Sequence, residues 1–293
     1  MSDRDENSAP VERVRSHIER VNVAAAAEAD LYGAHRVVLS ELLAARGGEA
    51  RRLCLLGAGN CNDVDLGTLA SAFSEIHLVD IDHKALAAAV DRQVEEVRAR
   101  LRVHTLDLSG LFAHEAAIRS ADEAFFDPEH GGLFELVAPA VEALVSALPG
   151  PFDVCASTCL WSQLSAGATS LFPPPFAHLP RVREAMLSIH LQTLVALAPV
   201  GEALFVTDVS STTLVPSLED TFAMVPPDTL LEELFAKSFI YVSADPKLFA
   251  AALARSPTVE EMDDAEDPWL WHTKARVYLV KPTRYRRRVP GTG

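Results

Sequence analysis

Residues 53–66 read LCLLGAGNCNDVDL. Four apolar residues bounded by Gly57 predict a strand buried on both faces of a parallel sheet, because a half-exposed strand would alternate apolar with polar. DVDLGTLASAF (63–73) then changes to helical spacing, with Asn62 or Asp63 placed to cap it. Strand, glycine turn and helix form the opening unit of a doubly wound sheet. Gly57 and Gly59 permit a tight turn and let a ligand approach the backbone, and the following helix offers free N–H groups. The G-x-G-x-x-G dinucleotide pattern is incomplete, since Asn62 stands at its third glycine.

Outward from this stretch the same unit repeats. IHLVDID (76–82) reads as a strand, HKALAAAVDRQVEEVRARL (83–101) as a helix and VHTLDL (103–108) as a third strand. HEAAIRSADEAFF (114–126) and LFELVAPAVEALVSAL (133–148) read as helices separated by a Gly131–Gly132 break. FDVCAST (152–158) is the fourth strand, SLFPPPFAHLP (170–180) a proline-dense loop, and PRVREAMLSIHLQTLVALAP (180–199) a long helix with Pro180 at its start. EALFVTDV (202–209) is the fifth strand. Beyond it the signals weaken to a loop (211–231), a helix near 230–239, a short strand FIYVS (239–243) and a helix at 245–255. ARVYLVKP (275–282) alternates well enough for an antiparallel edge strand. Upstream, the alanine-rich segment 11–46 reads as one helix ended by Gly47 and Gly48.

The 293 residues suit one α/β domain with a cap: an N-terminal helical cap over 1–48 and a sheet domain over 49–293. Hydrophobic residues make up 49% and charged residues 23%, which supports a packed core. The net charge of -15 repels a phosphate backbone or an anionic membrane face, so neither nucleic acid nor membrane is an expected partner. The polar N-terminus MSDRDENSAP carries no signal core, which leads to an expected cytoplasmic location. Cys54, Cys61, Cys155 and Cys159 form no paired C-x-x-C and are expected as reduced thiols; the histidines His77, His83 and His104 lack ligand spacing, and no metal is expected. Homodimer formation stays open.

At the second strand's end, about 20 residues beyond the glycine loop, Asp80 and Asp82 offer a carboxylate for both ribose hydroxyls, with Asp80 the stronger candidate because it ends an apolar run. Asp107 could take an adenine amino group while Leu108 packs on the ring; a helix cap is the competing reading of Asp107.

In this order the segments resemble the class I S-adenosylmethionine-dependent methyltransferases. LLGAGNC resembles the family's glycine-rich motif, LVDID its acidic second-strand motif, LDL its adenine motif, FDVCASTCL its fourth-strand motif, and LAPVGEALFVTDV its helix, turn and fifth strand. The resemblance covers roughly residues 50–210. It implies a Rossmann-like, doubly wound, seven-stranded sheet with an antiparallel last strand, S-adenosyl-L-methionine as cofactor, and a small-molecule substrate. Cofactor contacts would come from Gly57, Ala58, Gly59, Asn60, Asp63, Asp80, Ile81, Asp82, Asp107, Leu108, Ser157 and Thr158. The chain departs from the family at Leu55, where an acidic residue is common; Asn60, Asn62, Asp63 or Asp65 would then hold the methionine ammonium group. No N-P-P-Y-type motif stands at the fourth strand, which argues against DNA or protein-glutamine methylation.

LLGAG followed by DID also resembles the nicotianamine synthases, which transfer the aminocarboxypropyl arm of the same cofactor. A cyclase of the azetidine-2-carboxylate synthase type, releasing methylthioadenosine, is therefore the alternative to methyl transfer. A nucleotide-binding protein or dinucleotide-dependent dehydrogenase is a third reading, disfavoured by the missing glycine and the antiparallel last strand. In this architecture residues after the fourth and fifth strands face the sulfonium: Ser157, Thr158, Trp161, Gln163, Asp208, Ser210 and Ser211. Trp161 is the candidate for a cation–π contact, with a place in the core its competing reading; Gln163 and Ser157 could orient a ligand or make a helix-start hydrogen bond, and Asp208 is the candidate general base. Tyr32 and Tyr241 could close the pocket, and His190 reads as a core histidine.

Overall fold

A computed structural model describes residues 10–262 and 266–288. Strands β1 (Gly48–Leu56), β2 (Phe73–Asp80), β3 (Leu101–Thr105), β4 (Val154–Thr158) and β5 (Glu202–Ser211) are parallel. β6 (Val259–Glu261), β7 (Trp269–His272) and β8 (Val277–Arg287) complete the sheet, in the order β3-β2-β1-β4-β5-β8-β6 with β7 also on β8. β8 runs antiparallel to β5, and β6 and β7 lie along opposite ends of its other edge. The eight strands thus fill seven positions of a Rossmann-like, doubly wound α/β sheet. Strand order reverses between β1 and β4, and the crevice for a ligand opens at their carboxyl ends.

The LCLL run behaves as its composition requires. Leu53 and Leu55 belong to the core on one face of the sheet, Cys54 and Leu56 to the core on the other, and all four are at most 1% exposed. The four cysteines are free and buried. No helix among the described residues is long and apolar enough to cross a membrane.

Several elements differ from expectation. The helix expected over 11–46 is two helices, Pro10–Ala26 and Gly33–Ala44, joined through a 3-10 turn at Ala29–Tyr32. The break is held by the glycine loop, whose Asn60 and Asn62 amides donate to the carbonyls of Asn22 and Ala25 while Arg36 donates to Ala29 O. Helix-end carbonyls lacking a next turn need such partners. The helix after the glycine loop, Leu66–Ala72, is capped by Asp65, whose carboxylate accepts from Thr68 N–H at 2.6 Å, and not by Asn62 or Asp63. The expected helix 83–101 divides into His83–Asp91 and Glu95–Arg98, since Leu101 already pairs with Ile76 in β3.

Residues Leu160–Leu171 form a helix running into the proline-dense loop, and Leu218–Met224 is helical within the expected loop 211–231. FIYVS forms no strand: both edges of β5 are taken by β4 and β8, so Tyr241 N–H makes one bond to Val209 O and a 3-10 turn follows at Val242–Ala244. ARVYLVKP lies inside the sheet, and not at its edge, because β6 and β7 cover β8.

Candidate active site

The glycine loop leaves β1 with Gly57 at φ +80°, where a side chain would also strike Leu160 at 2.6 Å. Gly57 and Ala58 donate to Val79 O, and Gly59, at φ +47°, donates to the Asp80 carboxylate at 2.9 Å. The other Asp80 oxygen accepts from Asp82 N–H at 2.9 Å. Asp80 thus braces the loop through backbone N–H groups, that of Ile81 among them, and a carboxylate's four lone pairs leave capacity for a ligand. Burial pushes its carboxyl up to about 6 against the pull of those backbone bonds.

Beside Asp80 lies a narrow slot of about 30 Å³, lined by Ile81, Asp107, Leu108, Phe112 and Gln163 and closed by Val14 and Ile18 of the N-terminal helix. Asp107 accepts from Ser109 N–H at 2.9 Å, and burial raises its pKa. Gln163 also lines the adjoining cleft of about 350 Å³, so the slot and the cleft meet there. The cleft contains Gly57, Ala58, Gly59, Asn60, Asp63, Tyr32 and Asp208, residues from both chain halves brought to the sheet's carboxyl edge.

Asp63 sits at the cleft with its side chain 24% exposed, and burial pushes it up to about 7, with Arg36 acting in the opposite direction. His35 stands behind it, its Nε2 4.0 Å from the carboxylate. Trp269 donates its indole N–H to His35 Nδ1 at 2.9 Å, and burial pushes the histidine down to about 3. The imidazole is therefore neutral and carries its proton on Nε2, toward Asp63. Trp271 stacks on His35 at 4.6 Å and on Tyr278 at 5.1 Å, with the Tyr32 ring 5.2 Å away. Burial raises the Tyr32 hydroxyl above the usual tyrosine range, with Asp63 adding to the effect.

At the end of β5, Asp208 is 7% exposed and lines the cleft. Its Oδ1 finds no hydrogen-bond partner among the described residues; burial raises its pKa and the Ser162 hydroxyl pulls the other way. Cys159, at φ 50°, turns the chain from β4 so that Ser162 and Gln163 face the cleft.

Several expected site residues lie elsewhere. Trp161 is fully buried and donates its indole N–H to Ser243 O at 2.7 Å, so its ring packs in the core instead of the cleft. Ser157 is hydrogen-bonded to His190 Nε2 at 2.8 Å within the core, which bears out the core reading of His190, and the buried Thr158 is not a lining residue. Asp82 caps the helix after β2 and accepts from Asn22. Tyr241 stands behind the wall, donating its hydroxyl to Ser211 at 2.6 Å. Ser210 likewise donates to Phe239 O. Of the candidates for an ammonium group, Asp63 is the carboxylate that lines the cleft, Asp65 does not line it, and Asn60 and Asn62 line it with their amide N–H groups donated to the N-terminal helix.

Trp271, Tyr278, Arg276, Glu28 and Ser162 line the cleft without having been expected there. A signal existed in WLW (269–271), where two tryptophans two apart share one strand face, and Trp271 pairs in register with Tyr278.

No protein-family model matches the chain, and no curated protein does. Among solved structures it is similar to magnesium protoporphyrin IX methyltransferase from Synechocystis PCC 6803 with bound SAM, at 12% identity over 86% of this chain and 78% of that one, TM-score 0.41. It is also similar to a putative S-adenosyl-L-methionine-dependent methyltransferase from Methanococcus maripaludis (11% identity, 95% of both chains, TM-score 0.40) and to TrmN from Thermus thermophilus (14%, 83% and 48%, TM-score 0.35). At these identities and TM-scores, function rests on the site's own residues.

Proposed function

We propose that the chain is an enzyme that binds S-adenosyl-L-methionine and transfers its methyl group to a small molecule. The observation that carries this reading is the order of groups along one continuous depression: a flat apolar slot with Asp107 at its rim, then Asp80, then the glycine loop, then Asp63. A ligand made of a purine, a ribose diol and an amino acid would meet a matching partner at each step. A dinucleotide fits less well, because past the glycine loop its pyrophosphate would face the carboxylates of Asp63 and Asp208.

In this reading Asp107 accepts from the adenine amino group between Ile81 and Leu108, Asp80 accepts from the ribose hydroxyls with its remaining lone pairs, and Asp63 holds the ammonium group. The N-terminal helices Pro10–Ala26 and Gly33–Ala44 act as the cap, with Val14 and Ile18 closing over the slot. The cofactor supplies a methyl carbon activated by the sulfonium. The protein's task is then to align an acceptor with that carbon, so neither a triad nor a metal is required.

Incubation with S-adenosylmethionine and a pool of small acceptors, read by mass spectrometry of the nucleoside product, tests this. Release of S-adenosylhomocysteine is expected. Methylthioadenosine as the sole product would contradict methyl transfer and place the attack on another carbon.

A further inference from the structure

Groups along the sheet's carboxyl edge divide by strand. Asp80 and Asp107 follow β2 and β3, and the glycine loop with Asp63 follows β1. Asp208 lies two positions further along the sheet, on β5, with Tyr278 on the neighbouring β8. The first set accounts for the adenosine and amino-acid parts of the cofactor, and the second lies beyond them. We propose that this second set is an acceptor site for a small amine, which is methylated on nitrogen; the proposal rests on the methyl-transfer reading above.

The chemistry of the cleft selects for a cation. Beyond Asp63, which the cofactor's ammonium group takes up, its lining carries the carboxylates of Glu28 and Asp208 against a single basic residue among the described ones, Arg276, which lies over the Tyr278 ring at 5.7 Å. A carboxylate, phosphate or phenolate acceptor would meet this acidic lining at short range. Asp208 Oδ1, buried without a partner, calls for a donor, and leaving such an atom unpaired is costly. The Tyr32 ring, which is not stacked on a neighbour, adds a face that attracts a positive charge, whereas Trp271 and Tyr278 are stacked on each other and covered by His35 and Arg276. A neutral alcohol would satisfy Oδ1 and gain nothing from the charges.

The step balances with what the site holds. The ammonium form of the acceptor gives one proton to the Asp208 carboxylate. The freed nitrogen pair attacks the methyl carbon; the C–N bond forms as the C–S bond breaks, and the bonding pair stays on sulfur as a neutral thioether. The product leaves as a methylated ammonium ion and Asp208 returns its proton to water. Burial, which raises the Asp208 pKa, makes it a stronger base for this transfer.

The test is titration of the whole protein, with and without S-adenosylhomocysteine, with methylamine, putrescine and benzylamine, each against its alcohol (methanol, butane-1,4-diol, benzyl alcohol), and with benzoate. Tryptophan fluorescence reports binding at Trp271. At least one amine is expected to bind tenfold or more tighter than its alcohol and than benzoate. Asp208→Asn is expected to weaken that amine at least tenfold with partial recovery in Asp208→Glu. Glu28→Gln, at a half-exposed position, is expected to weaken it two- to fivefold, and this variant serves if Asp208→Asn does not fold. No amine binding, equal binding of the alcohol or benzoate, or amine affinity indifferent to both substitutions would overturn the proposal. Amine binding without S-adenosylhomocysteine binding would retain the amine site and remove the methyl-transfer reading.

Discussion

Asp63 carries a cost that follows from its place in the cleft. An aspartate with an ordinary value of 3.8, pushed up to about 7 by burial, holds a proton in the folded protein that the unfolded chain has already released. Stability therefore falls as pH rises from about 4 to about 7, and the loss is complete above that window. Asp63→Asn removes the cost, so it should stabilise the ligand-free protein by about 2–4 kcal/mol at pH 8 and by much less at pH 5. Chemical denaturation at both pH values checks this; an equal difference at the two would contradict it. On the proposed reading the same variant should lose cofactor affinity. At the residue scale, strand position fixed where Asp80 and Asp208 lie: both line the depression at the sheet's carboxyl edge. It did not do so for Trp161, because the left-handed turn at Cys159 rotates the next helix, sending Trp161 into the core and Gln163 to the cleft.

Among the elements, the N-terminal helix Pro10–Ala26 has the clearest consequence. Val14 and Ile18, 5% and 9% exposed, close a slot of about 30 Å³, enough for a water or two and too small for a purine. The helix has to lift for the ring to enter and then pack on it. It is tied to the loop through Asn22, Asn60 and Asn62 and, toward its other end, to Glu115 through Arg13 at 3.0 Å, so lifting has to break that ion pair. Hydrogen exchange in residues 10–26 should slow at least several-fold when S-adenosylhomocysteine is added; unchanged exchange in a ligand-saturated protein would contradict this closure. The existence of this helix was legible in its apolar spacing, but its break was not, because the partners that hold the break are side chains of a distant loop. The β7–β8 hairpin was legible only in part: Trp269 and Trp271 look like ordinary strand residues until His35, more than two hundred positions away, is placed beside them.

At the scale of the whole molecule, the parallel half of the sheet was legible because each strand is a short apolar run that changes period at a glycine or an acidic residue. Of the strands beyond β5 only the antiparallel β8 was legible, since the pairing of β6 and β7 is decided by which edges the rest of the sheet leaves open. The same sheet order sets the slot beside Asp80 and Asp107, the glycine loop with Asp63, and an acidic, aromatic cleft side by side along its carboxyl edge. The most direct measurement of that alignment is a calorimetric titration of the purified protein with S-adenosylhomocysteine and, separately, with NAD. One site per chain for S-adenosylhomocysteine, weakened by Asp80→Ala by about 1–3 kcal/mol and unmatched by NAD, is the predicted result. Saturable binding of NAD with none of S-adenosylhomocysteine, or an affinity untouched by Asp80→Ala, would contradict the account.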